Sequence, residues 1–179
     1  MKFFRLLLLL SLALQTQSEQ LKNILFVGNS YLYYNNSVHN YVEPMLREHH
    51  GSEIETKLSA IGGSKLYHHN IDHLLNPKNL NLDQQIDLLI MQGGSTEVVS
   101  EKDQEKFIQT VQQYSAKAQK LGVKTALYMT HAYTEADRRF EPNLIKKISK
   151  TYFAAGKESN SIVIPVGLAY EIAYKERPN

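Results

Sequence analysis

Cysteine is absent from the 179 residues of this chain, and its absence excludes several kinds of structure and site. A disulfide framework, a thiolate metal centre and a lipid-modified amino-terminal cysteine all need the thiol side chain. A domain of this length without disulfides must be stabilised by its hydrophobic core, and the chain is long enough to form one.

The chain also lacks an apolar run long enough for a transmembrane helix. The run from Leu6 to Leu14 follows Lys2 and Arg5, and it has the length of the apolar part of a secretory signal. The sequence therefore predicts a signal peptide over residues 1–18, cleaved after Ser18. It predicts a secreted or periplasmic bacterial protein with no stable membrane span after cleavage. An uncleaved anchor helix is the alternative interpretation.

The charge balance does not indicate a nucleic-acid partner. The whole chain has 20 basic and 18 acidic residues, and loss of Lys2 and Arg5 with the signal peptide leaves 18 of each. The sequence contains no stripe of lysine and arginine interleaved with aromatic residues, which nucleic-acid binding favours. We therefore expect no nucleic-acid partner.

Residues 19–179 form one predicted domain in which strand-like and helix-like segments alternate, without a repeat, linker or low-complexity tract. Strands are predicted over residues 23–27, 53–60, 86–91, 123–129 and 161–165. Helices are predicted over 36–50, 65–75, 101–121, 143–157 and 166–175. This alternation predicts βαβ units with right-handed crossovers, and a parallel sheet covered by helices on both faces.

Polar loops rich in small residues follow four of the predicted strands. In a parallel sheet such loops meet at the carboxyl edge, where ligands bind. Their small residues and backbone N–H groups are the material of an oxyanion hole. Ser30, between a strand and a helix, is then either a nucleophile or a simple cap of that helix. The four loops are Gly28-Asn29-Ser30, Gly62-Gly63-Ser64, Gln92-Gly93-Gly94-Ser95 and Thr130-His131.

The blocks ILFVGNSYLYYN, IGGS, LLIMQGGS and ALYMT occur in this order from about residue 23 onwards. Together they resemble the SGNH (GDSL-type) hydrolase superfamily of esterases and lipases, in particular its bacterial exported members. The resemblance implies an α/β protein with a three-layer α/β/α flavodoxin-like fold and a parallel five-stranded sheet in the order 2-1-3-4-5. It also implies a serine esterase without a cofactor, acting on small-molecule or carbohydrate esters, including acetyl esters.

The resemblance also assigns roles to residues in these loops. Ser30 corresponds to the nucleophile, and its own N–H with that of Gly63, next to Gly62, corresponds to the oxyanion donors. The third donor of the family is an amide side chain, and its position here corresponds to Gly94. Gln92 and Ser95 are the substitutes near that position.

The family's Asp-x-x-His pair, which supplies the general base, does not occur before Asn179. Three explanations stay open: a chain incomplete at its carboxyl end, a pseudoenzyme that binds a ligand or glycan in the same cleft, and an enzyme with a relocated base. For the last, His131 is the best histidine. We expect the chain as written to be nearly inactive, because removal of a triad member costs several orders of magnitude in rate. An incomplete domain would also leave apolar surface uncovered near Val163 and the strand over 23–27.

The remaining candidates are aromatic residues and histidines. Tyr31 either lines the cleft with His131 or packs the first helix. His69 and His73 have the i,i+4 spacing of metal ligands, but a third ligand is missing, so a solvated helix face is favoured and no metal site is predicted. The oligomeric state is not predicted.

Overall fold

A computed structural model of the protein describes residues 21–50 and 53–177. The predicted signal peptide over residues 1–18 lies outside the described residues. No helix within the described part of the chain is long and apolar enough to cross a membrane.

The sheet has five parallel strands in the order β2-β1-β3-β4-β5, which confirms the predicted fold class and strand order. Each strand lies within two residues of its predicted bounds. Val27 pairs with Met91 and Gly28 with Ala60, so the first three strands end level with each other. The strands are β1 (Asn23–Gly28), β2 (Glu55–Ala60), β3 (Leu88–Met91), β4 (Lys124–Tyr128) and β5 (Ile162–Ile164).

Six α-helices are assigned in the described residues, and two of them are single turns. Short 3₁₀ turns at Leu66–His68 and Pro77–Leu80 lie between β2 and β3. The helices are α1 (Ser30–Tyr33), α2 (Val38–His50), α3 (Ile71–Leu74), α4 (Glu101–Lys120), α5 (Leu144–Ser159) and α6 (Val166–Glu176).

Successive side chains of β1 pack against helices on opposite faces of the sheet. Ile24 and Phe26 pack in a cluster with the apolar side of α2, and Leu25 and Val27 pack in the larger core formed with α4 and α5. All four are buried, so the expectation that this strand is uncovered is wrong. At the outer edge, Ile162 of β5 is 65% exposed.

The predicted helix over 65–75 is wrong, because the backbone breaks between a 3₁₀ turn and α3. Asn70 begins α3, and its side chain accepts a hydrogen bond from the N–H of His73 at 3.1 Å. The break turns His69 inward, where it is 4% exposed, so the predicted solvated face does not include it. His73 is exposed and contacts Asn79 instead. Within the described residues no group of three or more histidines and carboxylates is arranged to hold a metal ion.

Candidate active site

The turn after β1 is held by hydrogen bonds that leave the Ser30 hydroxyl without a partner among the described residues. The N–H of Asn29 donates to Oε1 of Gln92 at 3.0 Å, and its Oδ1 accepts from the N–H of Tyr31 at 3.1 Å. A Cβ at position 28 would lie 2.9 Å from Cβ of Gln92 and 2.8 Å from Cδ1 of Leu32, so the glycine lets the turn lie close to both side chains. Ser30 is therefore presented as the first residue of α1, half-buried at the carboxyl end of the sheet.

The loop after β2 lies beside Ser30 and is joined to the same turn. Gly63 has a left-handed backbone with φ of +68°, which glycine adopts without strain. The carbonyl of Ser64 accepts from Nδ2 of Asn29 at 3.1 Å. Within the described residues, neither the N–H of Ser30 nor that of Gly63 donates to a protein acceptor. Two free N–H groups on adjacent loops can bind an oxyanion. Gly62 is outside the residues that line the cleft.

The loop after β3 forms the third side of the cleft. A Cβ on Gly94 would lie 2.9 Å from the Ser64 carbonyl, so only glycine lets the two loops approach. The N–H of Gly94 donates to the buried Glu97 carboxylate, and it is therefore not free for an oxyanion. Ser95 lines the cleft, whereas Gln92 lies beneath it, where it supports Asn29.

Burial raises the pKa of Glu97, an effect that the hydrogen bonds from Gly94 and Leu66 partly offset. A carboxyl group whose pKa is higher in the folded protein stabilises the fold most below its unfolded pKa of about 4.3. That stabilisation is lost as the pH rises through the folded pKa. The charged and titratable groups that act on Glu97 are Lys65 and Asp103, and it in turn acts on Tyr114 and Tyr152.

The substitution Glu97→Gln should therefore change the pH dependence of stability. We expect the free energy of unfolding of this variant, minus that of the wild type, to be more positive at pH 8 than at pH 5. Urea unfolding at both pH values measures it, with Glu105→Gln, at an exposed position of α4, as the matched substitution. Equal differences at the two pH values would contradict the burial effect.

An aromatic wall closes the cleft on the side of β4. The ring of His131 lies between Tyr31 and Tyr170, with centroids at 4.8 and 4.6 Å, and it makes no hydrogen bond within the described residues. Burial lowers the pKa of His131 and so favours the neutral imidazole at pH 7. The hydroxyl of Tyr31 donates to that of Tyr133 at 3.2 Å. Burial, followed by this hydrogen bond, raises the pKa of Tyr31 well above its usual range.

The rim of the cleft combines this wall with a charged pair. The guanidinium of Arg139 lies over the ring of Tyr133, 3.9 Å from its centroid, and forms two hydrogen bonds to Asp137 at 2.6 and 2.8 Å. Hydrogen bonding to Arg139 holds the pKa of Asp137 well below its usual range. The cleft has a volume of about 430 Å³, and Tyr34 and Tyr174 complete its mouth.

The structure thus brings most of the sequence-predicted residues to one cleft and leaves two aside. Gln92 and Gly62 do not line it. The six that line it are Ser30, Tyr31, Gly63, Gly94, Ser95 and His131.

Sequence reasoning missed several residues that shape the site. Asn29 and Ser64 lie within the predicted loops, so a polar residue beside a turn glycine could have indicated them. Glu97 and Arg139 carried no such signal. The hydrogen bond between Glu97 and Leu66 joins two separate loops, and Arg139 lies in an irregular segment that no strand end places at the cleft.

No histidine or carboxylate hydrogen-bonds to Oγ of Ser30 within residues 21–50 and 53–177. His69, a buried histidine that follows the Gly63 loop, instead has its Nε2 3.2 Å from Oγ of Ser64. Burial lowers the pKa of His69, and it is the largest cause of that shift. The described residues therefore bring together a serine hydroxyl and two free N–H groups without an oriented base.

The strand order and the position of the cleft define the class: a three-layer α/β/α protein of the flavodoxin-like type, with its site at the carboxyl edge of the sheet. Within that class, the fold is the one found in SGNH hydrolases. No protein-family model and no curated protein matches the sequence.

Several solved structures are similar in fold to this chain. A protein of Slackia heliotrinireducens described as an SGNH hydrolase matches at TM-score 0.64 and 20% identity, over 85% of this chain and 83% of its own. The SGNH-family esterase AlinE4 matches at TM-score 0.65 and 16% identity, over 88% and 81%. The acetyl xylan esterase AlAXEase matches at TM-score 0.59 and 20% identity, over 87% and 83%. These likenesses confirm the fold that the sequence blocks implied.

Proposed function

We propose that this protein is an SGNH-type serine hydrolase that cleaves carboxylic esters through an acyl-enzyme on Ser30. The observation that carries the proposal is the pairing of an unengaged serine hydroxyl with two free N–H groups on adjacent loops of one cleft. Oγ of Ser30 attacks the ester carbonyl, and the N–H groups of Ser30 and Gly63 stabilise the oxyanion. The bond to the leaving alcohol then breaks, and water hydrolyses the acyl-serine.

The general base is proposed to come from outside the described residues. The attack on the ester needs a base that removes the proton from Oγ of Ser30 and later returns one to the leaving alcohol. His131 lines the same cleft, but its ring is held by stacking on Tyr170 and a tilted contact with Tyr31 rather than oriented by a carboxylate. We therefore keep His131 as a residue of the cleft wall in this proposal.

Carbohydrate esters are the substrate class that we favour. Tyrosine rings with a neutralised, planar Arg–Asp pair offer apolar faces and several hydrogen-bonding groups, which suit a sugar better than a long acyl chain. In this arrangement the sugar would lie at the rim near Tyr133, and the small acyl group would lie near Ser30. The similarity to an acetyl xylan esterase supports the same substrate class.

An ester panel tests the proposal on the protein expressed from its complete reading frame. We expect hydrolysis of p-nitrophenyl acetate and of acetylated xylo-oligosaccharides, with a lower kcat/KM for p-nitrophenyl esters of long acyl chains. A protein that melts cooperatively and leaves every ester of the panel intact would overturn the proposal.

A second candidate function is binding of a ligand or glycan without catalysis. It is favoured by one observation, the lack of a base oriented toward Ser30 in the described residues. Calorimetric titration with xylo-oligosaccharides separates the two candidates. Binding without turnover, unchanged in Ser30→Ala, would support the binding function, whereas turnover that depends on Ser30 would support the esterase.

A further inference from the structure

Glu97 is a buried carboxylate next to the cleft that the proposed chemistry does not use. It lies between β3 and α4, is 1% exposed, and is not among the residues that line the cleft. Its Oε2 accepts from the N–H of Leu66 at 2.9 Å and from the N–H of Gly94. One oxygen atom therefore joins the loop after β2 to the loop after β3.

A carboxylate in this position is costly, so its partners must compensate for the lost hydration. Lys65 is the nearby cation, but its amine pairs with Asp103 at 2.7 Å. The Oε1 atom of Glu97 is buried and makes no hydrogen bond within the described residues. The compensation thus comes mainly from the two backbone N–H groups, which ties the Glu97 side chain to the relative position of the two loops.

The loop that Glu97 holds is the one with the proposed oxyanion donor. Leu66 lies three residues after Gly63, and the Ser64 carbonyl between them is also bound by Nδ2 of Asn29. On the side of Ser30, the Gly63 loop is held by Asn29 and by Oγ of Ser64, which donates to the Gly28 carbonyl at 3.4 Å. On the opposite side it is held by Glu97 and by the pairing of Lys65 with Asp103. Without Glu97 the contact to the backbone N–H of Leu66 is lost.

We propose that Glu97 is a positioning residue for the oxyanion hole, which sets the distance between the Gly63 N–H and Ser30 through its hydrogen bond to Leu66. This inference rests on the proposed ester hydrolysis. A donor misplaced by about 1 Å costs about 10²-fold in rate, so Glu97→Ala should lower kcat by that order with little change in KM. Glu97→Gln keeps an oxygen acceptor and should recover most of the activity.

The test uses three variants, Glu97→Ala, Glu97→Gln and the exposed control Glu105→Ala, each checked for a cooperative melt. Three quantities are measured: kcat and KM with p-nitrophenyl acetate, the affinity for phenylboronic acid, and amide hydrogen exchange by mass spectrometry. Boronic acids add to a serine hydroxyl and place an oxygen where the oxyanion forms, so their affinity reports the positions of the donors. Exchange at Gly63 to Leu66 reports the attachment of the loop whether or not the protein is active.

We expect Glu97→Ala to lose exchange protection at Leu66. Its kcat should fall by about 10²-fold, and its affinity for the boronate should fall by a similar factor. The Gln variant and the control should stay near the wild type. Unchanged protection at Leu66 in the Ala variant would overturn the inference, as would an Ala variant that keeps full boronate affinity or a Gln variant as impaired as Ala. If Glu97→Ala does not fold, the test rests on Glu97→Gln. A wild-type kcat with wild-type exchange protection at Leu66 would support the inference, and loss of either would overturn it. A wild-type protein that hydrolyses no ester would contradict the proposed function. The exchange data would still test whether Glu97 holds the loop through the N–H of Leu66.

Discussion

Replacing Ser30 by alanine should abolish ester hydrolysis without destabilising the protein. In the protein expressed from its complete reading frame, loss of a catalytic serine lowers kcat by about 10⁴-fold or more, because no other group then forms the acyl-enzyme. The melting temperature should stay the same, since the Ser30 side chain is half-buried and its Oγ makes no hydrogen bond within the described residues. Initial rates with p-nitrophenyl acetate and a thermal melt measure both effects.

Two other serines give this prediction its controls. Ser149→Ala, on α5 and away from the cleft, should keep the wild-type rate. Ser95→Ala is more informative, because Ser95 lines the same cleft. If Ser95→Ala abolished hydrolysis while Ser30→Ala kept more than a tenth of the rate, the nucleophile would be misassigned. Mass spectrometry of the enzyme quenched during turnover should find the acyl group on the peptide that contains Ser30.

Replacing Phe107 by alanine should have the largest effect on stability. Phe107 is fully buried in the core between the sheet and α4, and its ring lies 4.8 Å from that of Tyr152. Truncating a buried phenylalanine removes its transfer free energy and leaves a cavity, which together cost about 3–5 kcal/mol. For a protein of this size we expect the melting temperature to fall by roughly 10 °C. Urea unfolding followed by circular dichroism measures the change in free energy.

Phe153 provides the matched control. It lies on α5 and is 48% exposed, so Phe153→Ala should cost about 1 kcal/mol or less. Phe107→Leu preserves most of the volume and should cost less than about 1.5 kcal/mol. The core assignment would be contradicted if Phe107→Ala were no more destabilising than Phe153→Ala.

Truncating Phe107 should also affect the loop after β3, which forms one side of the cleft. A Cβ on Gly93 would lie 2.6 Å from the Phe107 ring, and the N–H of Gly93 donates to the hydroxyl of Tyr152 at 3.0 Å. The loop after β3 therefore lies directly on these two rings. We expect a cavity at Phe107 to increase hydrogen exchange in this loop even where the variant is still folded.

Local patterns carried most of what the sequence could predict. The apolar residues of 86–91, interrupted only by Asp87, indicated a strand buried on both faces, and β3 is such a strand over Leu88–Met91. The apolar stripe over 101–121 predicted α4 to within one residue. The predicted helix over 65–75 failed because the turn at His69 and Asn70 is set by contacts of His69 with Ser64 and Tyr114. Those contacts join the segment to the residue just before it and to α4, and no pattern within the segment contains them.

The residues of the candidate site also fall into two groups: those that local sequence patterns predicted, and those whose place depends on contacts between distant segments. Ser30 and Gly63 could be predicted, because each follows a strand directly and the end of a parallel strand lies at the ligand edge whatever the rest of the fold. Gln92 could not be placed from its position in a loop. Its side chain turns beneath the cleft toward Asn29, 63 residues earlier in the chain, because β3 lies beside β1 in the sheet.

The sequence by itself determined the alternation of strands and helices, the carboxyl edge as the place of the site, and the serine presented there. These follow from hydrophobic periodicity and turn residues, which act over a few positions. Only the tertiary structure decided that the Gly94 N–H is bound by Glu97, that Gly94 must be glycine because of the Ser64 carbonyl, and that the His131 ring lies between two tyrosine rings. Each of these depends on how neighbouring loops meet across the sheet, which is a property of packing rather than of any one segment.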